Sequence, residues 1–144
     1  MYPHRIRLRG PWKCEPLARF VFGDDGQKQE ITTNLPAPRK MTMPCRWSEG
    51  GLSDFSGRVR FRRHFGYPGR IDEHERIWLT FAGVEQKAEI WLNDQFLGRQ
   101  EGTNSVEFDV TELLANRNDL RVDVEGEAET GGLREVALEI RLAT

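Results

Sequence analysis

ERIWLTFAGVEQKAEIWLNDQFLGRQEGTNSVEFDVT, residues 75–111, decides the fold. Ile77, Leu79 and Phe81 alternate with Trp78 and Thr80, and Ala88, Ile90 and Leu92 alternate with Glu89 and Trp91. Val106, Phe108 and Val110 repeat the pattern against Glu107 and Asp109. Successive side chains of a strand point to opposite faces, so this period of two predicts three half-buried strands. Asn93 and Asp94 separate the second run from residues 95–99, and both residue types accept the positive φ of a two-residue turn. The spacing predicts a hairpin over 88–100.

Outward from this stretch the same signals recur. Arg5, Arg7 and Arg9 alternate with Ile6 and Leu8, and Gly10-Pro11 closes that strand. Strands are expected over 18–22 and 29–33, joined through Gly23-Asp24-Asp25-Gly26. Residues 34–57 hold Pro36, Pro38, Pro44 and Gly50-Gly51 and read as a long ordered loop with at most a short strand at 40–43. In 58–65, Val59, Phe61, Arg63 and Phe65 share one side, opposite Arg58, Arg60, Arg62 and His64. Leu120, Val122 and Val124 make a further strand, and Val136, Leu138, Ile140 and Leu142 the last. Thr111 is placed to cap a single helical turn over 112–115, the one helix expected. About nine short strands with almost no helix predict an all-β fold, an antiparallel β-sandwich with jelly-roll topology, which buries its apolar sides by closing two sheets face to face.

The bulk numbers bound the function. A chain of 144 residues is expected to be one domain, 1–144, large enough to bury a core without staples. A net charge of −2 gives no general attraction to nucleic acid or to an acidic membrane, and no apolar run reaches the length of a membrane span. The N-terminus has no apolar segment of the signal-peptide kind, so the expected location is cytoplasmic. Cys14 and Cys45 are expected to be free thiols, and His4, His64 and His74 form no metal-ligand pattern, so neither metal nor cofactor is implied.

Several segments in order resemble a known family. They are Gly57 to Phe65 (GRVRFRRHF), Phe81-Ala82-Gly83-Val84, Ala88 to Asp94 (AEIWLND), Leu97-Gly98-Arg99, Phe108-Asp109-Val110-Thr111 and Asn118-Asp119-Leu120. Together they resemble the N-terminal sugar-binding domain of family-two glycoside hydrolases, the group of the β-galactosidases and β-glucuronidases. The segment Gly131 to Ile140 further resembles the one that closes this domain. The resemblance implies a galactose-binding-domain-like jelly roll. It also implies that catalysis belongs to a separate (β/α)8 barrel, for which about 250 residues are typical, so hydrolase activity is not carried over to these residues. Where the family often has a His and two glycines after the Leu-Gly-Arg strand, this chain has Gln100-Glu101-Gly102-Thr103.

If successive strands run antiparallel, alternate loops fall at one end of the sandwich. Loops 47–56, 83–87, 102–105 and 126–132 then meet, and 67–74, 93–94 and 111–118 lie at the other end. The first set offers Trp47 with Asp54, Glu85, Gln100, Glu101 and Asn104, a flat ring beside hydrogen-bonding groups, as a saccharide requires. Each has a plainer reading: Trp47 as a lid on the core, Glu85 as a turn acid, Glu101 and Asn104 as loop polars. Trp78 and Trp91 are expected to pack under the N-terminal segment. The rows Arg5-Arg7-Arg9 and Arg58-Arg60-Arg62 are expected to pair with Asp123, Glu125, Glu135 and Glu139 across the sheets. Arg63, on the apolar side of its strand, is expected to hold a buried ion pair. The leading function is a non-catalytic carbohydrate-binding module with a saccharide ligand. The alternative is docking on a protein partner, and a small hydrolase is the third reading.

Overall fold

A computed structural model describes residues 2–83, 87–102 and 104–143. In chain order the strands are β1 (His4–Arg7), β2 (Trp12–Phe22), β3 (Lys28–Ile31), β4 (Arg39–Met41), β5 (Cys45–Arg46), β6 (Gly57–Gly66), β7 (Glu75–Phe81), β8 (Lys87–Leu92), β9 (Gln95–Glu101), β10 (Val106–Asp109), β11 (Arg117–Gly126), β12 (Gly132–Leu133) and β13 (Val136–Leu142). One sheet has the order β1-β13-β7-β10. The other has the order β3-β2-β6-β11-β8-β9, with β4 also on β2, and β5 and β12 form a two-stranded ribbon. All pairings are antiparallel, as a jelly-roll sandwich requires.

The alternation read in the sequence is the alternation of burial. Ile77, Leu79 and Phe81 of one sheet face the core shared with Val59, Phe61, Ile90, Leu92, Leu120 and Val122 of the other, all but fully buried. Burying a side chain of this size contributes about 1.5–3 kcal/mol, and the two inner faces together hold the sheets closed. Asn93 and Asp94, at φ 51° and 67°, form the turn between β8 and β9, and the register shifts between Ile90 and Trp91 just before it, with Leu97 the extra residue on β9. The strands number thirteen among the described residues rather than about nine; β4 matches the short strand expected at 40–43, while β5 lies within the segment read as the long loop and β12 begins in the segment read as the closing loop.

Three expectations fail for local reasons. Residues 111–113 form a turn rather than starting a helix. The Thr111 hydroxyl accepts from the Ile77 amide at 2.8 Å and donates to Asp109 Oδ1 at 2.6 Å, so it ties down β7 instead of capping, and so short a segment does not offset helix nucleation. Arg63 makes no ion pair among the described residues; it is half-buried near the end of β6, where its guanidinium donates to the adjacent His64 carbonyl. Trp78 and Trp91 lie half-buried on the outer faces, where Arg141 and Arg121 cover them at 5.0 and 4.0 Å from the ring centroids.

Cys14 and Cys45 are free. Burial pushes the Cys14 thiol up to about 12, and burial also raises Cys45. A thiol whose folded pKa is raised stabilises the fold fully below its unfolded value and loses that contribution as pH rises. Alkylation of Cys14 is therefore expected to be negligible in the folded protein at pH 8 and rapid in denaturant, and stability is expected to decline between about pH 9 and 12. Mass spectrometry of iodoacetamide-treated protein checks the first statement, and denaturation across that pH range checks the second. Among the described residues no helix is long and apolar enough to cross a membrane, and no group of three His, Cys, Asp or Glu side chains is placed to hold a metal.

Candidate functional site

Register fixes which loops meet. Gly57 pairs with Gly126, Glu125 with Lys87, and Lys87 with Glu101. Phe81 pairs with both Val106 and Val136. The loops flanking these residues therefore share one rim, as strand reversal predicts. Asn93, paired through Asp119 to the far end of β11, lies at the opposite end with residues 111–118.

The rim does not present all of its expected residues. Trp47 is fully buried: its indole N–H donates to the Phe55 carbonyl at 2.8 Å and its ring meets the Phe55 ring edge-on at 5.9 Å. It closes the end of the core and turns no face outward, because the neighbouring chain has glycine at 126 and 131, where a Cβ would press on the ring. Gly131→Ala is accordingly expected to destabilise the fold by about 2–3 kcal/mol, since overpacking a closed core costs on that order, and urea unfolding measures it. Asp54 is exposed at φ 59° in the turn beside Phe55. Glu101 and Asn104 are exposed, and Glu85 lies outside the described residues. Gln100 points inward and is 1% exposed; its side-chain N–H donates to the Asn104 carbonyl at 2.6 Å. Its Oε1 is buried with no hydrogen-bond partner among the described residues.

Gln100 and Glu101 line a shallow depression of about 170 Å³ together with Arg58, Lys87, Arg99 and Glu125. Asp54 and Asn104 are not in its lining. Arg58 donates to Glu125 at 2.9 Å and to Glu30 at 2.8 Å, and Arg60 holds both oxygens of Asp123 at 3.0 and 3.1 Å. The first arginine row pairs likewise, Arg5 with Glu139 at 2.9 Å and Arg7 with Glu135 at 2.8 Å. Such half-exposed pairs fix side-chain positions more than they add stability. Arg58, Arg99 and Glu125 are the site residues that the loops did not suggest. Their signal is the outward alternation of β6, β9 and β11, which becomes a cluster only once the register is known.

Chemically the depression mixes charged donors with charged acceptors on the outer face of the sheet, and no aromatic residue is in its lining. Comparison with known proteins gives the context. The β-galactosidase large subunit of Latilactobacillus sakei is 28% identical over 123 residues, which is 84% of this chain and 17% of that protein. A Bifidobacterium dentium β-glucuronidase, solved with coumarin-3-O-glucuronide, superposes over 99% of this chain and 32% of its own with a TM-score of 0.74 at 22% identity. The FMN-binding β-glucuronidase of Faecalibacterium prausnitzii superposes over 96% and 22%, with a TM-score of 0.73 at 19% identity. These structural likenesses establish the fold, and the chain spans about a sixth of the length of the curated relative it matches. Residues 53–139 match the model of the glycosyl hydrolase 2 galactose-binding domain-like family, and with that match covering more than half of its length, this chain belongs to that family.

Proposed function

We propose that this chain acts as a non-catalytic carbohydrate-binding module whose ligand seats at the rim of Lys87, Gln100 and Glu101. The observation that carries the reading is the depression on the outer sheet face at the loop end, where Arg58, Lys87, Arg99, Glu101 and Glu125 bring hydrogen-bond donors and acceptors into one space. A sugar hydroxyl both donates and accepts, so a saccharide can pair with the carboxylates and the cations of this set together. At about 170 Å³ the space is below the roughly 300–1,000 Å³ of a drug-sized pocket, a scale suited to one sugar ring. Family membership supports the ligand class.

Calorimetric titration with galactosides, glucuronides and neutral oligosaccharides tests the reading. Binding is expected, weakened about three- to tenfold by Glu101→Ala through the loss of one hydrogen bond, with unfolding unchanged. Absence of heat across the panel at millimolar ligand would sink it. Turnover of chromogenic galactosides by pure protein would argue for the small-hydrolase reading instead.

Docking on a partner protein is the second reading. It is favoured by Val21, Phe22 and Ile31, which stand exposed on the β2–β3 hairpin at the sheet edge, Phe22 at 60%. A complex that co-purifies without sugar and is lost in Phe22→Ser would establish it in place of the first.

A further inference from the structure

The outer face of the larger sheet is ordered in cross-strand rows, and one row sets four cations side by side. At the rim, Arg58, Glu125, Lys87 and Glu101 are successive partners of alternating sign. In the next outward row Glu15, Arg60, Asp123, Glu89 and Arg99 are partners, with Arg60 bidentate on Asp123. The third row reads Lys40, Lys13, Arg62, Arg121, Trp91, Phe96. Four cations stand directly opposite one another, an arrangement that destabilises a sheet when nothing offsets it.

Little in the fold offsets it. Arg62 Nε lies 4.0 Å from Asp119 Oδ1, which His64 shares at 3.5 Å, and Arg121 Nε lies 3.9 Å from Asp123 Oδ1, already held by Arg60. Neither distance is a hydrogen bond, and both Nε atoms are without a partner. Among the described residues no carboxylate lies within 4.0 Å of Lys13 or Lys40, and both are exposed. At its other end the row becomes apolar: Arg121 covers the Trp91 ring at 4.0 Å, and Phe96, 51% exposed, packs on Trp91 at 5.3 Å. Six strands at about 4.8 Å spacing make a strip roughly 24 Å long, cationic at one end and aromatic at the other.

We infer that this strip is a second binding surface, for an acidic oligosaccharide carrying carboxylate or sulfate groups. Anionic groups pair with the exposed ammonium groups of Lys40 and Lys13 and with the partly exposed guanidinium groups of Arg62 and Arg121, and a sugar ring lies on the Trp91–Phe96 pair. The adjacent strand spacing is on the scale of one pyranose ring, so consecutive sugars meet consecutive side chains. That the anion is a saccharide rests on the function proposed above; that it is an anion rests on the row alone.

The test is an NMR titration of 15N-labelled protein with oligogalacturonate, a sulfated dextran oligosaccharide, a neutral oligosaccharide of equal length, poly-L-glutamate and single-stranded DNA. Either acidic sugar is expected to shift the backbone amides of Lys13, Arg62 and Arg121 and the Trp91 indole N–H, with affinity falling as salt rises. The stronger response identifies the acid group. Lys13→Glu combined with Lys40→Glu, both exposed, is expected to weaken binding by about tenfold or more in a protein that circular dichroism shows to be folded. Equal binding by the neutral sugar, equal or tighter binding by DNA or poly-L-glutamate, or a silent row would each overturn the inference. Shifts confined to Lys87, Gln100 and Glu101 would overturn it while leaving the rim reading intact.

Discussion

Trp47→Ala is expected to lower stability by about 3–5 kcal/mol, the largest effect of any single truncation at the rim. The ring is fully buried, donates a 2.8 Å hydrogen bond to the Phe55 carbonyl, and is held between Phe55 and the glycines at 126 and 131. Alanine opens a cavity at the end of the core and strands a buried carbonyl. The loops 47–56 and 127–131, joined through the Trp47 amide and the Gly131 carbonyl at 2.9 Å, lose their common anchor. Urea unfolding followed by circular dichroism measures the loss. A change below about 1 kcal/mol would mean that the ring is free to face a ligand, as a sugar platform requires.

Asn118→Leu is expected to cost about 3 kcal/mol at the opposite end. Asn118 is 2% exposed and nearly isosteric with leucine, so the cost is polar rather than volumetric. Its Oδ1 accepts from the Ala115 amide at 2.8 Å and from Asn93 Nδ2 at 2.9 Å, and its Nδ2 donates to the Ala115 and Phe65 carbonyls at 3.0 and 3.3 Å. Asn93 in turn accepts from the Asp119 amide at 2.9 Å and donates to the Leu113 carbonyl at 2.9 Å. Leucine leaves these partners buried and unsatisfied, whereas Asn118→Asp keeps the acceptor and loses less. Thermal unfolding of the two variants separates the roles, and equal stability of Asn118→Leu and the parent would refute the network's importance.

What could be read from the chain follows from the range of each interaction. Burial period is local, so the strands around Leu79, Ile90 and Phe108 and the turn at Asn93-Asp94 could be read directly. The topology of alternate loops also followed, because reversal at each turn is a local rule applied repeatedly. The structural roles of Asn93 and Asn118 could not be read, since the two are 25 residues apart and meet only through a shared turn. Nor could the inward aim of Gln100, which depends on where β9 ends, or the burial of Trp47, which depends on glycines more than 75 residues later. The arginine rows illustrate the intermediate case. Pairing of Arg5, Arg7, Arg58 and Arg60 was foreseeable from outward carboxylates, while the exception at Arg62 requires knowing that Arg121 is its partner.

The most direct test of a saccharide site at the rim is an NMR titration with galactosides and glucuronides read at the Gln100 side-chain amide and the backbone amides of Lys87, Glu101 and Asn104. The rim account predicts that these signals move together and saturably, with those of Asn93 and Asn118 unchanged at the other end. Signals that stay fixed up to millimolar ligand, in a protein verified as folded, would contradict it.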